Sequence, residues 1–175
     1  MIVVVTGPTR SGKSIVAERI AASSTAPVTY VATADVTDDD MAARVDAHRD
    51  RRPADWTTVE AGADLADAID ATDGTLLLDS IGTWIAHTWN GDTFTPDIDA
   101  VVAAVTSRAA DTIVVAEQVG WSTHAADAAT RRWVDLVGEA TRRISESADR
   151  VLLVVAGRAV DLVDAPLPDL GSTDR

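Results

Sequence analysis

Short, unbroken apolar runs alternate along this chain with longer stretches in which apolar positions recur every three or four residues. The runs are "IVVVTG" from Ile2, "VTYVATA" from Val28, "TLLLDS" from Thr75, "TIVVAEQV" from Thr112 and "VLLVVAG" from Val151. Rich in branched residues and without polar alternation, they read as strands buried on both faces, the pattern of a parallel sheet. Helical periodicity covers about residues 12–23, 38–52, 62–71, 81–90, 96–110 and 125–147, most of these stretches opening on Thr, Ser, Asp or Gly. Strand alternating with helix predicts an α/β protein with a mostly parallel central sheet flanked by helices. "TTVEA" from Thr57 is a weaker strand candidate, and the Pro, Gly, Ser and Asp content of "DAPLPDLGSTDR" from Asp164 marks an unpacked tail.

The chain has 175 residues. That length suits one domain, expected over 1–163 with a flexible tail at 164–175, burying roughly 70% of its unfolded surface. A formal charge of -13 sets a general electrostatic attraction to nucleic acid aside, so a phosphorylated ligand must be held by local groups. Cysteine is absent, which excludes disulfides and thiolate metal sites and fits a reducing cytoplasm. "MIVVVTG" is too short an apolar run to span a bilayer, and no basic segment or small-residue cleavage site accompanies it. A soluble cytoplasmic protein without a membrane partner is therefore expected. Among the cationic residues, Lys13 is the single lysine. Where arginine has replaced lysine almost everywhere, the survivor marks a place that needs a compact ammonium rather than a planar fork.

Lys13 lies in the strongest local motif. "GPTRSGKS", from Gly7 to Ser14, fits G-x-x-x-x-G-K-[ST] between a predicted strand and a predicted helix. In that setting Gly7, Pro8, Thr9, Arg10, Ser11, Gly12, Lys13 and Ser14 form a phosphate loop, a P-loop NTPase-like start to the fold. Backbone N–H groups and the helix N-terminus face phosphate, Lys13 reaches the outer phosphates and the Ser14 hydroxyl can ligate Mg²⁺. Pro8 removes one N–H at the entrance. A second Mg²⁺-organising oxygen is expected at a strand end, where Asp79 closes "TLLLD"; capping of the following helix is the alternative. Glu117 ends "TIVVAE" at the same edge, suited to a ligand crevice or to pairing with arginine.

"DDDMAARVDAHRDRRPADW", Asp38 to Trp56, contains no helix breaker before Pro53, and Met41, Arg44, Val45 and His48 share one helix face. Periodicity alone leaves His48 either functional or merely solvated.

Together these motifs resemble the bifunctional adenosylcobinamide kinase / adenosylcobinamide-phosphate guanylyltransferase family of cobalamin biosynthesis. The resemblance rests on "VVVTGPTRSGKS", "YVATA", "DDDMAARVDAHRDRRPADWTTVE", "LLLDS" and "ADRVLLVVAG", in order along nearly the whole chain. Its most specific part is Arg44, His48, Arg52-Pro53, Trp56 and Glu60. The resemblance implies that His48 is a nucleophile taking GMP from GTP before transfer to the phosphorylated corrinoid. It implies catalytic roles for His48 and Lys13, nucleotide contacts from the loop and from Arg44, Arg52, Glu60 and Asp79, and metal contacts from Ser14 and Asp79. ATP or GTP as substrates, Mg²⁺, a corrinoid acceptor and a homotrimer follow from the same resemblance. Arg49 or Arg52 could neutralise phosphate or simply pair with nearby aspartates.

The chain departs from the family pattern in several places. Gly7-Pro8 replaces Gly-Gly, and "EQVGWSTHAA" keeps only Val119-Gly120 of Asn-Glu-Val-Gly-x-Gly-Ile-Val-Pro. Val134-Asp135 and Thr141-Arg142 stand where Arg-Asp and Asn-Gln are usual. These changes bear on the acceptor side and on subunit contacts. His124 reads as solvent-exposed, and His87, between Trp84 and Trp89, as a packed or interface residue. Another small P-loop kinase for a metabolite or nucleoside, and a non-catalytic nucleotide-binding paralogue, are the competing functions.

Overall fold

The computed structural model describes residues 1–34, 39–121 and 125–163, without the side chains of residues 39–41, 44 and 47. His124, the tail from Asp164 and the side chains of Met41 and Arg44 therefore lie outside the described residues. A seven-stranded sheet runs in the order β3-β2-β4-β5-β1-β6-β7. Its strands are β1 (Ile2–Gly7), β2 (Val28–Ala32), β3 (Thr57–Glu60), β4 (Thr75–Asp79), β5 (Thr112–Glu117), β6 (Arg150–Val155) and β7 (Arg158–Leu162). Every pairing is parallel except β6 with β7.

The unbroken apolar runs are explained by burial from both sides. All of β1 is buried, and successive residues serve opposite faces. Ile2 and Val4 join Leu76, Leu78 and Val114 beneath the helices α3 (Leu65–Asp70), α4 (Ile81–His87), α5 (Ile98–Ser107) and α6 (Ala128–Ser145). Val3 and Val5 join Tyr30, Leu77, Ile113 and Val154 beneath Ala17 and Ala21 of α1 (Lys13–Ala21), with Trp56 packed at the margin. α2 (Asp39–Arg51) lies on the α1 side, tied to it by ion pairs between Arg51 and Glu18.

The helices end where capping chemistry and glycine dictate, inside the limits expected from periodicity. Gly62, at φ +52°, delays α3 until Leu65. Asp97 and Asp127 accept hydrogen bonds from the Ala100 and Thr130 amides and so start α5 and α6 at Ile98 and Ala128. α4 stops at His87, three residues short of expectation, as the chain folds back through a Trp89–Phe94 bridge.

β7 is the strand the sequence pattern did not reveal. It pairs with β6 through Ala156 and Gly157, at φ +51° and +73°, a two-residue turn with both central residues left-handed. All five β7 residues are exposed, so the strand carries no apolar run.

Arg108 fastens the amino-terminal end of the sheet. Its guanidinium donates to the carbonyls of Ile69, Thr72 and Gly74 at 2.9, 2.6 and 2.7 Å, and Nε donates to Thr112 Oγ1 at 3.1 Å. These bonds hold the end of α3 and the turn into β4 against β5. Arg108→Ala is expected to lower unfolding stability by about 2 kcal/mol, read as a reduced urea midpoint at unchanged slope.

Candidate functional site

The carboxyl ends of β1, β4 and β5 meet at one edge, where an open α/β sheet receives ligands. Gly7 is in register with Glu117, and Asp79 with Val115, so the phosphate loop, the β4 aspartate and the β5 glutamate are brought side by side.

The loop is shaped by close backbone approach. A Cβ on Gly7 would stand 2.5 Å from the Val154 carbonyl and 2.6 Å from Ser11 Oγ, so no larger residue fits there. The Ser11 amide donates to the Pro8 carbonyl at 3.2 Å, closing a turn. Arg10 at φ +59° and Gly12 at φ +92° complete it, and the Gly157 amide of the β6–β7 turn donates to the Ser11 carbonyl at 2.8 Å. The missing N–H of Pro8 is thus harmless: neither Gly7 nor Pro8 lines the cavity, and both act as supports from beneath. α1 opens at Lys13 with no carboxylate in its first turn, leaving its positive end available to phosphate.

Above this loop is a cavity of about 450 Å³ lined by Thr9 to Ile15, His48, Arg51 and Glu117. His48 enters from α2. Its Nδ1 lies 3.6 Å from Glu18 Oε1 and 3.6 Å from Asp79 Oδ2, while its side chain is 30% exposed. Burial pushes its pKa below the ordinary 6.5 despite the opposing pull of Asp79, which favours a neutral imidazole. Asp79 stands beside the cavity, its Oδ2 accepting the Tyr30 hydroxyl at 2.8 Å. Burial, reinforced by Asp79, keeps that phenol protonated. Arg52 lies over the Tyr30 ring, 3.3 Å from its centroid, and donates to Thr58 Oγ1 at 3.3 Å.

Of the residues expected from the sequence, the fold gathers Thr9, Arg10, Ser11, Gly12, Lys13, Ser14 and His48 around one cavity, with Asp79 adjoining. Arg52 and Glu60 stand apart from its lining. Arg52 packs on Tyr30, and Glu60 is exposed on β3 with Arg49 Nη2 4.0 Å away. Arg49 also pairs with Asp46, the solvated alternative weighed for it. His87 is half-buried on α4.

Arg51, Glu18 and Tyr30 escaped the sequence reading as site residues, while Ser80, one of its helix-start candidates, caps α4. Arg51 had an available signal: it follows His48 by three positions and so shares its helix face. Glu117 pairs with Ser80 and Gly82 rather than with an arginine. Its carboxyl receives the Ser80 hydroxyl at 2.5 Å and the Gly82 amide at 2.7 Å. Burial pushes its pKa up against these bonds and the field of Lys13.

This is the construction of a P-loop nucleotide-binding protein. Solved structures sharing the fold include flagellar accessory protein FlaH from Methanocaldococcus jannaschii, at TM-score 0.50 and 14% identity over 92% of this chain and 75% of that one. A type III secretion system ATPase of pathogenic bacteria aligns at TM-score 0.53 and 10% identity, over 91% of this chain and 56% of its own. The chain belongs to the cobinamide kinase / cobinamide phosphate guanyltransferase family, whose pattern matches residues 3–162. The bifunctional adenosylcobalamin biosynthesis protein CobU of Salmonella typhimurium is 32% identical over 93% of this chain and 99% of its own length. The corresponding CobP of Pseudomonas aeruginosa is 34% identical over 92% and 96%.

Gly82, at the start of α4, tests how tightly the β4–α4 corner is built. A Cβ there would fall 2.3 Å from Glu117 Oε2. Gly82→Ala should destabilise the protein by about 2 kcal/mol, and the cost should fall by more than half in a Glu117→Ala background, as read by thermal denaturation of the four variants.

Proposed function

We propose that both activities of the family run through this single cavity, with Lys13 serving phosphoryl transfer and His48 serving guanylyl transfer. The chain is a bifunctional enzyme: a kinase for cobinamide and a guanylyltransferase for the phosphorylated product. The observation that carries the mechanistic reading is the placement of the His48 imidazole in the wall of the cavity that also holds Lys13 and Ser14. A triphosphate cradled by the loop would turn its terminal phosphorus toward Lys13, with His48 in the same lining to meet an inner phosphorus.

In the kinase step, an alcohol oxygen of the corrinoid attacks the terminal phosphorus, its proton passing to an oxygen of the transferred phosphoryl group, and the bond to the leaving diphosphate oxygen breaks. Lys13, the loop amides and the α1 N-terminus stabilise the charge that shifts onto the leaving oxygens. In the transferase step, His48 Nε2 bonds to the α-phosphorus of GTP while pyrophosphate departs with the bonding electron pair. A phosphate oxygen of the phosphorylated corrinoid then attacks that phosphorus, and the electron pair returns to Nε2. Arg51 contributes positive charge at the same wall.

Mg²⁺ fits the donors present. Ser14 and Asp79 offer hard oxygen atoms, and among the described residues no three His, Cys, Asp or Glu side chains gather into a cage. That suits an ion held mainly by nucleotide phosphates and water with one or two protein oxygens. When bound, it would neutralise phosphate charge. In this reading residues 1–163 form one domain, and the chain acts in the cytoplasm as a homo-oligomer, a trimer by family resemblance. Exposed Trp89 and Trp121 supply apolar surface for a subunit contact. Among the described residues, no helix is long and apolar enough to cross a membrane.

Incubation with GTP and Mg²⁺ should raise the intact mass by one GMP in the unsubstituted chain and leave His48→Ala unchanged. Lys13→Ala should lower phosphoryl transfer by about 10²-fold or more. Phosphoryl transfer without any adduct would mark a simple P-loop kinase, and nucleotide binding without turnover a non-catalytic paralogue. Because burial holds His48 below 6.5, its imidazole stays unprotonated to lower pH than a free histidine. The initial rate of adduct formation should therefore stay level across neutrality and decline only below pH 6.5, followed by intact mass across a pH series.

A further inference from the structure

We propose that Glu18 is a positioning residue for guanylyl transfer, fixing the His48 ring with its proton on Nδ1 and the Nε2 lone pair open to phosphorus. The proposal rests on the reading of His48 as the nucleophile.

Glu18 lies on α1, the helix that begins with Lys13, yet its side chain is only 12% exposed. A carboxylate so covered needs compensating partners, and α2 provides them. Arg51 Nε donates to Glu18 Oε2 at 3.2 Å, and Arg51 Nη2 donates to Oε1 at 3.1 Å. This fork holds both oxygens and fixes the plane of the carboxylate. His48, three positions before Arg51 on α2, brings Nδ1 to 3.6 Å from the same Oε1. One carboxylate thus holds α2 against α1 and faces one ring nitrogen of the nucleophile.

Asp79 Oδ2 is equally close to Nδ1, but that oxygen already accepts the Tyr30 hydroxyl at 2.8 Å. Glu18 Oε1 likewise accepts one bond, from Arg51, so the difference lies elsewhere: Asp79 stands where a bound cation would draw on it, whereas Glu18 keeps its charge for the ring throughout a cycle. The other charges around the imidazole are Arg51 and Arg52. Both repel a protonated ring and so favour the neutral one, and of its two nitrogens Nδ1 is the one the carboxylates face.

A separation of 3.6 Å is too long for a hydrogen bond, but a shift of less than about 1 Å brings it within range, and such contacts often tighten when substrate fills a site. The chemistry then balances without a further proton carrier. Nε2 forms the bond to the α-phosphorus, pyrophosphate leaves with the electron pair, and Nδ1 keeps its proton. Positive charge grows on the ring during this step, and Glu18 stabilises it as the buried aspartate of a catalytic triad does.

The test uses the full chain labelled with ¹⁵N-histidine. With three histidines in the sequence, the His48 ring signals can be assigned by substitution. At about pH 8, where free histidine is neutral, the unsubstituted protein should show Nδ1 protonated and Nε2 bare. Glu18→Gln should shift His48 toward a mixture of tautomers. It should also slow formation of the GMP adduct by about tenfold or more, with phosphoryl transfer kept within about threefold of the unsubstituted rate. An unchanged tautomer in Glu18→Gln overturns the proposal. Equal loss of both half-reactions also overturns it, because that marks general loosening of α2. Should Glu18→Gln fail to fold, Glu18→Asp takes its place: a withdrawn carboxylate slows the adduct alone if the proposal holds and leaves its rate untouched if it does not. An unsubstituted chain that forms no adduct removes the nucleophile reading itself, and the tautomer comparison then still decides whether Glu18 sets the ring.

Discussion

The register of β1 against its two neighbours governs the whole site. Gly7 is opposite Glu117 on β5, and Thr6 is opposite Leu153 on β6, so the chain leaves the sheet at a height fixed by ladder hydrogen bonds. A slip of one residue would exchange the two faces of β1, turning Val3 and Val5 away from α1 and lifting the phosphate loop out of line. Burial on both faces opposes any such slip, because each face has its own helices to fill. The positions of Lys13, Asp79 and Glu117 are therefore consequences of apolar packing several residues away.

Two reactions at different phosphorus atoms need not have two sites. In the proposed reading, the loop amides and the α1 N-terminus would face the polyphosphate whether its end group is transferred or its outer portion leaves as pyrophosphate. The distinction comes from the walls. Lys13 belongs to the sheet-and-loop wall, which the core holds rigid. His48 and Arg51 belong to α2, which is attached mainly through charged and aromatic contacts: Arg51 with Glu18, and Arg52 on Tyr30 just beyond the helix end. Among the described residues, these polar contacts replace the apolar burial that holds the loop's neighbours β1 and α1. On the proposed reading of His48, this arrangement suits a protein with two transfer activities.

The strands were legible because parallel strands buried on both faces leave unbroken apolar runs, and β1, β2, β4, β5 and β6 each do. β7 was hidden because Arg158 to Leu162 are all exposed and its Asp161 pairs with Arg150 across the ladder, which gives the strand a loop-like composition. The short turn Ala156-Gly157 between branched residues was the available clue. In the site, the phosphate loop could be read from spacing, since its function depends on backbone geometry that glycines enforce. Glu18 could not: an acidic residue within a helix reads as solvated unless its partners are known, and here they lie on a helix 30 or so positions further along. Arg52 and Glu60 followed His48 in the sequence motif but do not line the cavity: Arg52 packs over the Tyr30 ring, and Glu60 ends the edge strand β3, separated from β4 by β2.

The bond from the Gly157 amide to the Ser11 carbonyl joins two turns that lie far apart in the chain. The phosphate loop precedes in the chain both β5 and β6, the strands that flank β1, and the β6–β7 turn that braces it. Native contacts of such long sequence separation form late. A chain cut before this turn keeps the loop residues but lacks the brace behind them, so the shape of the loop depends on a strand pair far downstream.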